Sequence, residues 1–163
     1  MPLAVASSPS VGVCVPTLNA GSTWHEWLAL TLPTAASFRV LVIDSSSDDA
    51  TADAAREAGC EVVVIERSDF NHGGTRQRAL LHLDDCDIVI FLTQDALLAD
   101  HKALANLLSA FDNPGVGAAF GRQLPHEDAT PIAAHARHFN YSPYSRVVGS
   151  EDIPQLGIKT AFL

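Results

Sequence analysis

Apolar, β-branched runs recur along this chain at intervals of about 25 residues: V-G-V-C-V from Val11, F-R-V-L-V-I from Phe38, E-V-V-V-I from Glu61, D-I-V-I-F-L from Asp87 and V-G-A-A-F from Val116. The runs are continuous rather than alternating, which is the pattern of strands covered on both faces. Helical patterns fill the gaps. Thr23-Trp24-His25-Glu26 spells a T-x-x-E capping box, and Trp24, Trp27, Leu28 and Leu32 then share one helix face. Ser47-Asp48-Asp49 offers caps for an Ala-rich helix that Gly59 would stop. Gly74 to Leu83 predicts a third helix. Asp100 can cap a fourth, with Leu104, Leu107, Leu108 and Phe111 facing inward and Asn113-Pro114-Gly115 ending it. Strand and helix in alternation require right-handed crossovers, so the expected fold is α/β with a mostly parallel, Rossmann-like sheet of five strands.

Residues 1–10 read as a flexible N-terminus, 11–121 as the core and 122–163 as a looser segment with short helices. That last stretch carries prolines at 125, 131, 143 and 154 and the run Arg137-His138-Phe139-Asn140-Tyr141. The closing I-K-T-A-F-L has no element after it, which reads as a domain cut short or as a short final strand. Three cysteines, Cys14, Cys60 and Cys86, lie in or beside apolar runs without C-x-x-C spacing, so buried free thiols and a reducing cytosol are expected. The first ten residues lack the basic start of a signal peptide, and no apolar run approaches the ~20 residues of a membrane span.

Charge narrows the partners. With 10 Lys+Arg against 19 Asp+Glu the net charge is −9, which argues against a surface that tracks nucleic-acid phosphates. An anionic ligand would need local help from a metal, a helix N-terminus or a placed arginine. Parallel sheets bind ligands beyond the C-terminal strand ends. Those ends read Pro16-Thr17-Leu18-Asn19, Asp44-Ser45-Ser46-Ser47, Glu66-Arg67-Ser68-Asp69 and Thr93-Gln94-Asp95. Neither G-x-G-x-x-G after the first strand nor G-x-x-x-x-G-K-[ST] is present, so pyridine-nucleotide dehydrogenases and P-loop NTPases drop in rank. Asp44 can accept hydrogen bonds from a base or ribose, and Asp95 can hold a hard cation. Taken singly, such acids are more often caps or turn formers, Arg76 a solvated helix residue and His72 a turn residue. Their joint placement at strand ends favours a site.

The blocks P-T-L-N-A-G, V-I-D-S-S-S-D-D-A-T, H-G-G-T-R and F-L-T-Q-D-A, in this order at strand ends, resemble the GT-A nucleotide-sugar domain of inverting family-2 glycosyltransferases. F-N-H-G-G-T-R with T-Q-D-A and R-H-F-N-Y-S-P resembles the bacterial rhamnosyltransferase branch that builds O-antigen and other surface polysaccharides. The resemblance implies that Pro16, Thr17 and Asn19 floor the nucleotide base and Asp44 recognises base or ribose. It places Arg76 near base and phosphates, and Ser46, His72, Gly73, Gly74 and Gln94 with them on the donor. Asp95 stands as the last acid of a D-x-D motif whose first acid is here Thr93. One protein carboxylate then remains for Mg2+ or Mn2+, with water and diphosphate completing the shell. The glycines would admit a ligand close to backbone, and Arg76 would add fixed positive charge.

The implied donor is dTDP-rhamnose or a UDP-sugar, and the acceptor a saccharide or lipid-linked polysaccharide precursor. The implied place is the cytoplasm, at the inner face of the membrane. Inversion also needs a base on the acceptor side, expected beyond Leu163. Asp128, Glu151 and Asp152 sit in loop-like settings that suit solvated acids. A non-catalytic nucleotide-sugar-binding module is the alternative, and a receiver- or flavodoxin-like fold, where H-G-G-T-R has no role, is a third reading.

Overall fold

The computed structural model describes residues 8–157. The chain forms two compact units, one ending at His101 and the other beginning at Lys102.

The first unit alternates strand and helix: β1 (Val11–Thr17), α1 (Thr23–Thr34), β2 (Arg39–Asp44), α2 (Thr51–Glu57), β3 (Glu61–Val64), α3 (His72–His82) and β4 (Ile88–Phe91). All four strands are parallel, in the order β3-β2-β1-β4. The chain therefore steps outward from β1 through β2 to β3, then crosses back to the other side of β1. Right-handed crossovers place α1 and α2 on one face and α3 on the other. On the α3 face, Ala79 and Leu83 pack with Cys14, Leu41, Ile43 and Ile65. Side chains alternate along a strand, so Val13, Val15 and Val42, all fully buried, point to the opposite face. There Trp24 and Trp27 stack at 4.9 Å, and the Trp24 indole donates to the Thr51 carbonyl at 3.0 Å, tying α1 to the start of α2. At the N-terminal rim Arg39 donates to Glu61 at 2.9 Å and to the His82 carbonyl at 3.1 Å, and also pairs with Asp85.

The second unit holds α4 (Ala103–Leu108), which tightens into a 3-10 turn over Ser109–Asp112, then α5 (Pro131–Asn140) and α6 (Ile153–Leu156). As expected, Asn113-Pro114-Gly115 ends the first of these, with the Asn113 carboxamide accepting the Gly115 N–H at 3.0 Å. Arg137 to Asn140 belong to a regular helix, started by the Thr130 hydroxyl accepting from Ala133 N–H at 3.3 Å.

Several expectations need correction. The run Val116–Phe120 forms no strand; Gly117 and two alanines bring little apolar area, and Phe120 is 59% exposed. Among the described residues the sheet has four strands, not five. Thr23 does not cap α1: Ser22 stands at the cap in helical geometry without a side-chain bond, and the Thr23 hydroxyl donates back to the Ala20 carbonyl at 3.3 Å. Lys102, not Asp100, precedes α4, again without a side-chain cap. Gly59 does follow α2 with φ of 87°. The run I-K-T-A-F-L lies, from Ile158 on, outside the described residues.

Cys14 and Cys60 are buried and Cys86 half-buried, all as free thiols. Burial pushes the Cys14 thiol up from an ordinary 9.0 to about 12, against a smaller downward pull from the Arg76 charge. Above pH 9 the unfolded chain therefore holds fewer protons than the folded one. Its contribution is complete below that pH and is lost toward pH 12, at up to about 1.4 kcal/mol per pH unit. Urea unfolding between pH 8 and 10.5 should show the decline, and Cys14→Ala should flatten it. Equal slopes in both proteins would contradict the burial of this thiol.

Candidate functional site

The C-terminal ends of three strands are locked together around one buried carboxylate. Asp44, 1% exposed at the end of β2, accepts from the Thr17 hydroxyl at 2.8 Å, the Ser47 hydroxyl at 2.6 Å and the Ser47 N–H at 2.8 Å. Three neutral donors offset much of the cost of burying its charge. The backbone adds Ser45 N–H to the Thr17 carbonyl at 2.9 Å and Ile65 N–H to the Asp44 carbonyl at 2.8 Å. Asn19 joins the network from β1, donating its N–H to the Ser47 hydroxyl and accepting from Asp48 N–H, each at 2.8 Å. Arg67, after β3, donates to the Ser46 carbonyl at 2.9 Å and pairs with Asp48, whose carboxyl it holds below the usual range.

Asn19 and Ser46 are the non-glycine residues with positive φ among the described residues, at 46° and 55°. Such backbone costs of order 1 kcal/mol or more and persists only where surroundings over-determine it. Here the bonds just described do so, together with the Ser46 hydroxyl donating to the Ile65 carbonyl at 2.8 Å.

Beside this network, where the strand order reverses between β1 and β4, opens a cleft of about 170 Å³ lined by Pro16, Thr17, Leu18, Ser45, Phe70, His72, Arg76, Thr93 and Gln94. Such a switch point is where doubly wound sheets bind ligands. In a chain of net charge −9 the lining holds no acid and includes Arg76 and His72. Its volume falls short of the roughly 300–1,000 Å³ of a site enclosing a drug-sized molecule, so a larger ligand would leave part of itself outside. A wider depression of about 450 Å³ lies between α1 and α2, lined by His25, Leu32 and Glu57 among others. It is away from the C-terminal strand ends, where parallel sheets bind ligands, so the smaller cleft is the better site.

Among the sequence candidates, Pro16, Thr17, His72, Arg76 and Gln94 line the cleft. Asn19, Asp44, Ser46, Gly73, Gly74 and Asp95 do not. Asp44 is sealed into the network, with both oxygens accepting bonds from the chain. Gly74 serves the helix first: its N–H donates to the Asn71 carboxamide at 2.6 Å, and a Cβ there would sit 2.7 Å from the Asn71 amide nitrogen. Helix α3 thus begins at His72, two residues before the expected start, because Asn71 caps it. The Arg76 guanidinium donates to the His72 carbonyl at 2.9 Å, which steadies it at the cleft wall, while the His72 ring meets Phe70 edge-on at 5.1 Å. Asp95 is exposed on a turn closed by Ala96 N–H to the Thr93 carbonyl at 3.1 Å.

Sequence reasoning missed Leu18, Ser45, Phe70 and Thr93 as lining residues. Ser45 is 2% exposed and its hydroxyl has no partner among the described residues. Its position directly after Asp44, at a strand end, was the available signal.

A sequence model described as glycosyl transferase family 2 matches residues 12–162. The chain belongs to that family. It is 46% identical over 157 residues to the O-antigen chain rhamnosyltransferase WbaN of Salmonella anatum, covering 95% of this chain and 50% of that protein. It is 47% identical over 155 residues to RfbN, of the same description, from Salmonella typhimurium, covering 94% and 49%. This family-2 chain thus spans about half the length of these relatives. Among solved structures it resembles the mannosyltransferase PcManGT from Pyrobaculum calidifontis, in complex with GDP-Man and Mn2+, at 26% identity and a TM-score of 0.56 over 69% of this chain and 35% of that one. Glucosyl-3-phosphoglycerate synthase from Mycobacterium tuberculosis, at 22% identity and a TM-score of 0.53 over 64% and 40%, shares the fold.

Two substitutions test the family-2 site without any ligand. Gly74→Ala should cost about 1 kcal/mol or more, because the new methyl displaces the Asn71 cap; an unchanged urea midpoint would contradict the cap. Ser45→Ala removes an unpaired buried hydroxyl, so it should leave stability unchanged or slightly raised. A loss beyond about 1 kcal/mol would reveal a bond that the hydroxyl makes in the free protein.

Proposed function

We propose that this chain is the donor-binding part of an inverting, metal-assisted glycosyltransferase, and that its donor is dTDP-rhamnose. The observation that carries the reading is the acid-free cleft at the β1–β4 switch point, with Arg76 in its wall and the unpartnered Ser45 hydroxyl in its lining. An orphaned buried donor is costly unless a ligand satisfies it. The rhamnosyl assignment is supported by the likeness to WbaN and RfbN, both described as rhamnosyltransferases. A UDP-sugar is the competing donor.

The residues fit a divalent ion of sparse protein ligation. No group of three His, Cys, Asp or Glu able to hold a metal occurs among the described residues. Asp95 offers one exposed carboxylate beside the cleft. Mg2+ accepts one carboxylate plus water and phosphate oxygens, and Mn2+ tolerates the same donors. PcManGT was solved with Mn2+. When bound, the ion would offset charge gathering on the departing diphosphate.

The chain's own contribution is positioning and fixed charge. Pro16, Thr17 and Leu18 form the floor and Ser45 donates from it. Arg76, held by the His72 carbonyl, directs its free N–H groups toward the diphosphate as a planar fork. Asp44 acts from below, fixing Thr17 and Ser47 rather than touching the ligand, and the bends at Asn19 and Ser46 shape the rim. Residues 11–121 form the donor-binding portion in this reading and 122–163 begin the acceptor side. The base that inversion requires is assigned to the length of WbaN and RfbN that this chain does not cover. No helix among the described residues is long and apolar enough to cross a membrane. A cytoplasmic protein that meets lipid-linked acceptors at the membrane face fits that observation.

Titration calorimetry with dTDP-rhamnose, with and without Mg2+ or Mn2+, tests the assignment. Metal-dependent binding is expected, with UDP-glucose binding more weakly. Asp95→Ala should abolish the metal dependence, and Arg76→Ala should weaken binding by about tenfold or more, the range of a lost charged hydrogen bond. Metal-dependent binding that survives Asp95→Ala would remove the ion from that residue. With the base assigned outside this chain, binding without transfer is the expected result, and no binding of any nucleotide sugar with either metal would contradict the donor assignment.

A further inference from the structure

The cleft exists because the sheet splits. Strand β1 pairs with β2 through Thr17, opposite Asp44, but with β4 only as far as Cys14, opposite Phe91. The last backbone rung on the β4 side runs from Leu92 N–H to the Cys14 carbonyl at 3.0 Å. In a parallel ladder the next donor from β1 would be residue 16, and residue 16 is proline, which has no N–H. Beyond it the two strands are joined again by a side chain. The Gln94 carboxamide accepts the Leu18 N–H at 2.8 Å and donates to the Leu18 carbonyl at 3.2 Å. Both residues line the cleft.

We propose that Gln94 is a positioning residue for the ligand: its carboxamide rejoins the two strands beyond the rung that Pro16 denies the backbone and so sets the width of the cleft. This rests on reading the cleft as the donor site. A carboxamide suits the task because it offers an acceptor and a donor together, as a peptide unit does. A carboxylate could take only the Leu18 N–H, and an aliphatic side chain neither group. This side-chain rung fixes both sides of the site. On β1 it holds Leu18, immediately before the positive-φ turn at Asn19. On β4 it anchors the turn closed by Ala96 N–H to the Thr93 carbonyl, which presents Asp95. One side chain thus sets the spacing between the floor of the cleft and the carboxylate beside it.

Hydrogen exchange and calorimetry on the intact chain test this together. In Gln94→Ala the Leu18 amide should exchange about tenfold faster or more, while the Val13 and Val15 amides of the buried strand stay as they were. The dissociation constant for dTDP-rhamnose with Mn2+ should rise about tenfold, with its metal dependence kept. Gln94→Glu, which retains an acceptor and lacks the donor, should leave the Leu18 amide protected. If the alanine and glutamate variants exchange alike at Leu18, the rung is not what holds that amide and the inference fails. If the wild type binds dTDP-rhamnose and Gln94→Ala binds it equally well, the donor-site reading stands and the positioning role is lost. If the wild type binds no nucleotide sugar at any metal concentration, the donor-site reading fails and takes the positioning role with it.

Discussion

Strand β1 has neighbours reached in opposite directions, and the rest of the unit follows from that reversal. The chain moves from β1 to β2 and β3 along one side, then must cross the sheet to lay β4 on the other. Right-handed crossovers put α3 on the face opposite α1 and α2, where Ala79 and Leu83 close the core over Cys14, Leu41 and Ile43. The loops leaving β1 and β4 therefore part company at one point of the rim. Pro16 widens the parting by ending the ladder, and Gln94 limits it. A cleft at that point is a consequence of topology, before any ligand is considered.

What keeps the rim rigid is a buried charge. Asp44 gathers Thr17 and Ser47, and through them Asn19, Asp48 and Arg67, so the ends of β1, β2 and β3 move as one piece. The two strained residues, Asn19 and Ser46, are held within this piece. Removing one partner from such a network leaves a buried polar group unsatisfied, so its members act together. The same economy explains how a chain of net charge −9 can offer the anion site proposed here. Its acids are kept off the cleft lining, and the Arg76 guanidinium, tied to the His72 carbonyl, supplies the local field. Fields in a partly buried cleft are screened less than those of the exposed surface.

Helix α3 links core and site. Its C-terminal half carries Ala79, with Leu83 at the cap, into the core, while its first turn is set by Asn71 and permitted by Gly74. A change that frays the first turn moves His72 and Arg76 with it. The F-N-H-G-G-T-R run is thus read largely as a helix start with a purpose: Asn71 caps, Gly74 makes room, and Arg76 faces the cleft one turn later.

The sequence by itself determined the parallel sheet, the order of its elements and the strand ends where a site could lie. It did so because continuous β-branched runs, helical periodicity and glycine stops are local signals with local causes. Of the residues it singled out, Pro16, Thr17, His72, Arg76 and Gln94 line the cleft. It misjudged Val116–Phe120, where an apolar run lacks the bulk to hold a strand, and it read Thr23 as a cap that the helix start does not use. Tertiary structure alone decided that Asp44 faces inward, that Ser45 lies unpaired in the lining and that Gln94 spans the split to Leu18. Those facts depend on partners distant in sequence, up to 76 residues away for Gln94 and Leu18. A contact of that range is set by how strands are ordered in the sheet, and the residues that make it carry no local sign of it.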